Sequence, residues 1–217
     1  MQTNKGVVAL ALLSVSALSQ ATVLFSDDFE SGNLSAWGST FGSATNVAGD
    51  GSTHFSIGAR ALNITTAAGQ VRKYIANNLT PITRMEFDMY VTAGNNMRHY
   101  SEIRDFATAG DETSALNNLV AIGVYNTPTA NRYYGRTLGA GWFQLDTVQT
   151  VTNGVWTNFA VEIEADTARF YLNGELKSTQ ALSGFTADQL RVGSNLSSTS
   201  GGAWYDNVSV EAVPEPG

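Results

Sequence analysis

The chain has 217 residues, a formal net charge of −7 and no cysteine. Its length suits one domain with a sizeable core, the lack of cysteine excludes disulfides, thiolate catalysis and Cys-ligated metals, and its acidity argues against a nucleic-acid partner. Only 14% of the residues are charged and 21 are glycine, which is typical of many strands joined by turns rather than of a helical bundle.

The first 21 residues have the pattern of a secretory signal peptide. Lys5 supplies the positive start, and the apolar run over residues 7–18 has the right length for such a signal and is too short to span a bilayer. Small residues, Ser19 and Ala21, precede the expected cleavage point. We therefore expect export and no membrane span in this chain beyond the cleaved leader; the alternative is a buried core helix.

Residues 22–212 show alternating apolar and polar side chains in many short segments, and apart from the leader no helix is predicted. The clearest case is the hairpin over residues 155–176, where Phe159, Val161 and Ile163 alternate with polar residues and Asn173-Gly174 suits a tight turn. Strands are predicted at residues 23–30, 55–64, 70–76, 84–91, 98–106, 119–125, 131–138, 142–148, 155–164, 168–172, 190–193 and 204–211, and loop at 38–53. About a dozen short strands predict a two-sheet sandwich or jelly roll.

Three segments resemble the laminin-G-like, concanavalin A-like jelly roll. They are F-x-D-D-F-E-x-G-x-L-x-x-W at residues 25–37, W-x-x-F-x-V-x-I followed by A-R-F-Y-L-N-G-E-L at 156–176, and W-Y-D-N-V-S-V at 204–210. The resemblance implies an all-β, two-sheet antiparallel jelly-roll sandwich over residues 22–212. It leaves the function open, because this fold serves lectins, adhesion modules, glycoside hydrolases and polysaccharide lyases alike.

The last five residues, 213–217, contain V-P-E-P, which is similar to the start of the PEP-CTERM sorting signal of Gram-negative bacteria. That resemblance implies processing by an exosortase and a place in an envelope rich in exopolysaccharide. In that family a membrane helix and an arginine-rich end follow the motif, and this sequence ends at Gly217 without them. We expect the natural chain to continue; the alternative is a plain proline-rich exit from the last strand.

Acidic residues near both ends of the domain predict a structural calcium site. The first and last strands of an antiparallel sandwich commonly pair, which would bring Asp28 or Glu30 close to Asp206, and Asp50 lies in a glycine-rich stretch with accessible carbonyls. Calcium takes six to eight oxygen ligands without strict geometry. The predicted ligands are Asp28, Glu30, Asp50 and Asp206, and the alternative is a set of surface acids that cap turns.

The alternation also predicts a binding face. If Ile103, Val120 and Phe143 point into the core, residues of the other parity point outward, and strand 131–138 adds Tyr133 or Tyr134. The predicted face consists of Tyr100, Glu102, Arg104, Tyr125, Tyr134, Arg136, Trp142 and Gln144. Aromatic rings stack on sugars while Arg, Glu and Gln bond hydroxyls; the alternative is an ordinary solvated sheet face with cross-strand pairs.

These features predict an exported, envelope-associated bacterial module that binds carbohydrate or a matrix polymer without catalysis. One alternative is a diverged polysaccharide lyase or glycoside hydrolase that uses Glu102, Arg104 and a tyrosine, since residues 100–104 faintly resemble the R-x-E-x-R strand of jelly-roll alginate lyases. The E-x-D-x-x-E pattern of jelly-roll hydrolases does not occur. Another alternative is a structural component of a cell surface or biofilm.

Overall fold

The computed structural model describes residues 21–48, 56–75, 82–126, 131–147, 150–198 and 200–213. Within these ranges the chain forms thirteen strands and no helix, and therefore no helix that is able to cross a membrane. The strands are β1 Thr22–Asp27, β2 Ser39–Ala48, β3 Arg60–Tyr74, β4 Ile82–Val91, β5 Arg98–Phe106, β6 Leu116–Asn126, β7 Asn131–Thr137, β8 Gly141–Gln144, β9 Trp156–Ile163, β10 Thr167–Leu172, β11 Glu175–Ala181, β12 Gln189–Val192 and β13 Ala203–Val213.

The long strand β3 connects two layers of antiparallel strands. Its first half pairs with β13, where Ile64 lies opposite Ala203, and its second half pairs with β12, where Arg72 lies opposite Arg191. The first layer has the order β11-β10-β9-β4-β13-β3, and the second continues β3-β12-β5-β6-β7-β8. With β1 beside β13 and β2 beside β3, this is the predicted all-β, two-sheet jelly-roll sandwich.

The core lies between the layers because each strand turns alternate side chains inward. On β4 the buried residues include Met85, Phe87 and Met89, and a partly exposed residue separates each from the next. Aromatic contacts join the layers: the rings of Tyr133 and Phe159 lie 5.8 Å apart, and Phe143 meets Phe170 edge-on at 5.0 Å. The residues of opposite parity are thereby left for the two outward surfaces.

The prediction of a loop over residues 38–53 is wrong for its first part, because residues 39–48 form β2. A strand at this position needs only backbone pairing with β3, so its Gly, Ser, Thr and Asn residues are no obstacle. The predicted strands 55–64 and 70–76 are halves of β3, and the ladder to β2 shifts where Gly42 faces Gly69. A Cβ on Gly42 would lie 1.9 Å from the carbonyl oxygen of Ala68, so this approach requires glycine. The predicted leader and sorting motif lie outside the described residues, except for Ala21 and Val213.

His99 on β5 has the same parity as the buried Ile103 and points into the core. The side chain is 1% exposed, and Nε2 lies 3.4 Å from the hydroxyl of Ser198. Burial lowers the pKa of His99 to about 4, although a hydrogen bond with the backbone of Gly201 opposes this change. The imidazole is therefore neutral at pH 7.

Protonation of His99 is expected to make the protein less stable in acid. The pKa of His99 is lower in the folded protein than in the unfolded chain. The stabilising contribution of the neutral ring to the free energy of unfolding is therefore complete above pH ~6.5 and is lost as the pH falls towards 4. This residue should lower the free energy of unfolding by about 2–3 kcal/mol between pH 7.5 and 4.5. Urea unfolding of the wild type and of His99→Gln at both pH values measures it; an identical pH dependence of the two proteins would contradict the assignment.

Candidate functional site

The second layer presents a surface that faces away from the core, which we call the β5–β8 face. Its central row runs in register across six strands, so that all its side chains emerge on the same side. The row consists of Arg72, Arg191, Glu102, Ala121, Arg136 and Trp142. With strands spaced about 4.8 Å apart, it is about 24 Å long. This is an extended surface that suits a chain-like ligand.

Neighbouring rows complete the face. One row contains Tyr100, Gly123, Tyr134 and Gln144, and the next contains Arg98, Tyr125 and Arg132. Arg104 lies in register with Gln189. The structure thus places all eight residues of the predicted binding face on one surface and resolves the choice left at β7, because Tyr133 packs in the core and Tyr134 lies outward. Their role in binding stays a prediction.

Four aromatic side chains of the face form one cluster around Trp142. The Trp142 ring stacks on Tyr125 at a centroid distance of 4.4 Å, and it meets Tyr100 at 5.0 Å and Tyr134 at 6.3 Å nearly edge-on. Trp142, Tyr125 and Tyr134 are partly exposed. The face therefore offers preorganised aromatic surface to a ligand.

Tyr100 and Glu102 form the floor of the face rather than its surface. They are 5% and 1% exposed, whereas Arg104, Arg136 and Gln144 are partly exposed. Burial, with the charge of Glu102 as the next cause, raises the pKa of the Tyr100 hydroxyl. The small residues Ala121 and Gly123 lie between these side chains; a Cβ on Gly123 would come within 2.6 Å of the Tyr100 side chain.

Two carboxylates pair with arginines on the face. Oε1 of Glu102 accepts a hydrogen bond from Nε of Arg104 at 2.8 Å and lies 2.7 Å from Nη2 of the same guanidinium. Oε2 of Glu112 accepts from Nη1 of Arg72 at 2.8 Å and from Nη2 of Arg191 at 3.2 Å. Arg72, Arg191 and Glu112 were not assigned to this surface from the sequence, because β12 and then β3 lie beside β5 only through the sheet order, which no local pattern encodes.

Two polar atoms beside Ala121 retain unused hydrogen-bonding capacity. Oε2 of Glu102 and Nε of Arg136 are buried and have no hydrogen-bond partner in the structure. A buried polar group without a partner costs about 1–3 kcal/mol. A hydroxyl that reaches them would donate to Glu102 and accept from Arg136, and it would relieve both costs.

The first layer carries a separate aromatic row on its own outward surface, also missed from the sequence. Trp204, Tyr90 and Trp156 lie in register on β13, β4 and β9. Their ring centroids are separated by 5.9 and 5.6 Å. This row has no arginine among its members and provides a matched control for the cluster around Trp142.

The predicted calcium ligands hold backbone segments in the described part of the chain. β1 and β13 pair as expected. Asp206 is fully buried; its Oδ2 accepts the N–H groups of Ser56 and Ile57 at 2.7 and 3.1 Å, and Oδ1 accepts the N–H of Asn207. Oε1 of Glu30 likewise accepts two backbone N–H groups, those of residues 59 and 60, and Oδ1 of Asp28 accepts the N–H of Glu30.

The described part of the chain contains only some of the predicted calcium ligands. Among the residues that the structure describes, no three His, Asp or Glu side chains lie close enough together to hold a metal ion. Asp50 lies outside the described residues. The described geometry assigns Asp206 and Glu30 to anchoring residues 56–60, and calcium binding stays a prediction.

Replacing Asp206 distinguishes the two roles. We expect Asp206→Ala to lower the stability by about 3 kcal/mol, because three backbone N–H groups lose their acceptor. The loss should be the same with excess EDTA as with millimolar calcium in thermal or urea unfolding. If the variant is destabilised only when calcium is present, Asp206 is a metal ligand instead, since a cation bound only by the folded state stabilises it.

Known proteins share this architecture. A sequence profile of the concanavalin A-like lectin/glucanases superfamily matches residues 98–209, just over half of the chain. Among curated proteins no sequence matches the chain. The match spans β5 to most of β13, and it therefore includes all eight residues of the predicted binding face.

Solved structures resemble the chain over most of its length at low sequence identity. A carbohydrate esterase of the Shiga toxin-encoding bacteriophage phi24B has a TM-score of 0.62 and 16% identity, over 89% of this chain and 100% of that one. Domain 4 of a GH43 extracellular arabinanase from Geobacillus stearothermophilus, in complex with arabinotriose, has a TM-score of 0.56 and 14% identity, over 90% of this chain and 94% of that one. The globular domain of calreticulin from T. cruzi has a TM-score of 0.60 and 13% identity, over 87% of each chain. At such identities the likeness concerns the fold alone. The fold and the profile together show that this chain belongs to the concanavalin A-like lectin/glucanases superfamily.

Proposed function

We propose that this protein is an exported, non-catalytic module that binds a polysaccharide or another matrix polymer through the β5–β8 face. The observation that carries the proposal is the aromatic cluster around Trp142, which adjoins a row across six strands that contains three arginines. Aromatic rings and guanidinium groups side by side suit sugars, whose apolar ring faces stack on aromatics while their hydroxyls bond charged and amide groups.

The similar structures support this assignment. One of them is a carbohydrate esterase, and another is an arabinanase domain in complex with arabinotriose. Both have the architecture of this chain, so the architecture is compatible with a carbohydrate-related role.

The chemistry of the face favours binding over catalysis. A tyrosine that abstracts a proton needs a lowered pKa, whereas burial and the charge of Glu102 raise the pKa of Tyr100. His99 points into the core on the other side of β5 and is almost fully buried. Glu102 is itself 1% exposed and bonded to Arg104. We therefore assign these residues to holding the face in shape.

The cellular localisation is part of the same proposal. The leader pattern over residues 1–21 and the V-P-E-P motif support export to the envelope or extracellular matrix of a Gram-negative bacterium, with processing by exosortase-type machinery. N-terminal sequencing of the exported protein tests the leader: cleavage after Ala21 is expected, and retention of Met1 on an intracellular protein would contradict export.

The binding proposal predicts a specific loss in one double variant. Trp142→Ala with Tyr125→Ala removes the stacked pair, and we expect affinity for a bound polysaccharide to fall by more than about tenfold. Trp204→Ala with Trp156→Ala removes two partly exposed aromatics from the other layer and should leave affinity unchanged. Affinity electrophoresis with a polysaccharide panel measures both, with thermal unfolding as the check of folding. Intact binding by the first variant would show that the face is wrongly assigned.

Catalysis is tested on the same polysaccharides. Incubation with the wild-type protein should yield no unsaturated uronates and no new reducing ends. Product formation that disappears in the Glu102→Gln variant would replace the binding proposal by the lyase or hydrolase alternative.

A further inference from the structure

The basic residues of this acidic protein are concentrated on the β5–β8 face. The chain contains 12 Lys and Arg against 19 Asp and Glu. Half of those basic residues lie in the rows of this one face, and they are Arg72, Arg98, Arg104, Arg132, Arg136 and Arg191. An even distribution of basic residues would not place half of them on one surface. The net charge of the face is therefore positive, whereas that of the rest of the molecule is negative.

Three of these six arginines pair with a carboxylate in the described part of the chain. Glu112 is shared by Arg72 and Arg191, and Glu102 pairs with Arg104. In the described part of the chain no ion pair joins Arg98, Arg132 or Arg136 to a carboxylate. The face therefore has four more positive than negative charges.

The arginines are built into the face rather than mobile on its surface. Arg191 is 6% exposed, and its Nε donates to Gln189. Arg136 lies over the Trp142 ring at 5.3 Å, and Arg98 lies over Tyr125 at 6.0 Å. Burial, followed by the charge of Arg104, lowers the pKa of Arg191 to about 10. Guanidinium groups fixed by neighbours lose little freedom when they bond an anion bidentately.

We infer that the ligand of the β5–β8 face is an anionic polysaccharide, whose carboxylate or sulfate groups bind the unpaired arginines while its sugar rings stack on the Trp142 cluster. This inference rests on the proposed function and names its substrate class. A sugar polymer is preferred to a nucleic acid because two of the similar structures are carbohydrate-related proteins, and binding of DNA is one outcome of the test.

Matched ligand pairs test the inference. Polygalacturonate is compared with highly methyl-esterified pectin, which has the same backbone with its carboxylates neutralised, and dextran sulfate is compared with dextran; a single-stranded DNA oligonucleotide is a third arm. We expect the charged member of at least one pair to bind at least about tenfold more tightly than its neutral partner and than DNA, and we expect added 0.5 M NaCl to weaken that binding. Which pair responds distinguishes a carboxylate from a sulfate ligand.

A charge-matched variant pair locates the effect. Arg136→Gln should weaken binding of the charged polymer by about tenfold, the value of one charge-assisted hydrogen bond. Arg84→Gln makes the same change of net charge on the first layer, where Arg84 pairs with Glu86 and Glu162, and it should have no effect. Equal losses in both variants would mean that binding follows overall charge and not this face.

The outcomes separate the inference from the proposal beneath it. If neutral polymers bind as tightly as charged ones and salt has no effect, the anionic class is wrong while the binding face stands. If DNA binds as well as the charged polysaccharides, the face recognises polyanions in general and the inference falls. If none of the polysaccharides binds, both the inference and the proposed function are rejected.

Discussion

The buried carboxylate of Glu102 makes the arrangement of the β5–β8 face possible. Glu102 lies in register with Arg191 on one side and, across Ala121, with Arg136 on the other, and it accepts a hydrogen bond from Arg104 within an ion pair. Like charges at such spacing repel, and repulsion grows as water is excluded. One carboxylate among three arginines reduces this repulsion, so the guanidinium groups stay in place before any ligand arrives.

The sandwich supplies the rigidity on which that arrangement depends. The same strands that place arginines outward turn Ile103, Val120 and Ile122 into the core, so the face cannot move without disturbing fully buried side chains. On the first layer, Asp206 secures residues 56 and 57 through their backbone amides. The acids near the chain ends thus contribute to order in the scaffold, while the charge that suits a ligand lies on the opposite layer.

Much of the face could be predicted because the period of two is a local property. Parity alone placed Tyr100, Arg104, Tyr125 and Trp142 outward, and the structure agrees. The burial of individual residues could not be predicted in the same way. Tyr100 and Glu102 have outward parity and yet lie beneath their neighbours, because their exposure depends on side chains from other strands.

The order of the strands in the sheet was the other feature that could not be predicted from the sequence. β12 has only four residues, and its position between β3 and β5 follows from long-range pairing, so Arg72 and Arg191 could not be assigned to the face in advance. β2 was not predicted for a related reason, since its polar sequence becomes a strand through hydrogen bonds to β3.

The most direct test of the central claim uses the four tryptophans, Trp37, Trp142, Trp156 and Trp204, each of which gives one indole N–H signal in the NMR spectrum of ¹⁵N-labelled protein. Titration with oligosaccharides of the charged polymer that binds, either oligogalacturonate or sulfated dextran, is predicted to shift the signal of Trp142 and leave the other three in place; a shift of Trp156 or Trp204 with Trp142 unmoved would contradict the account.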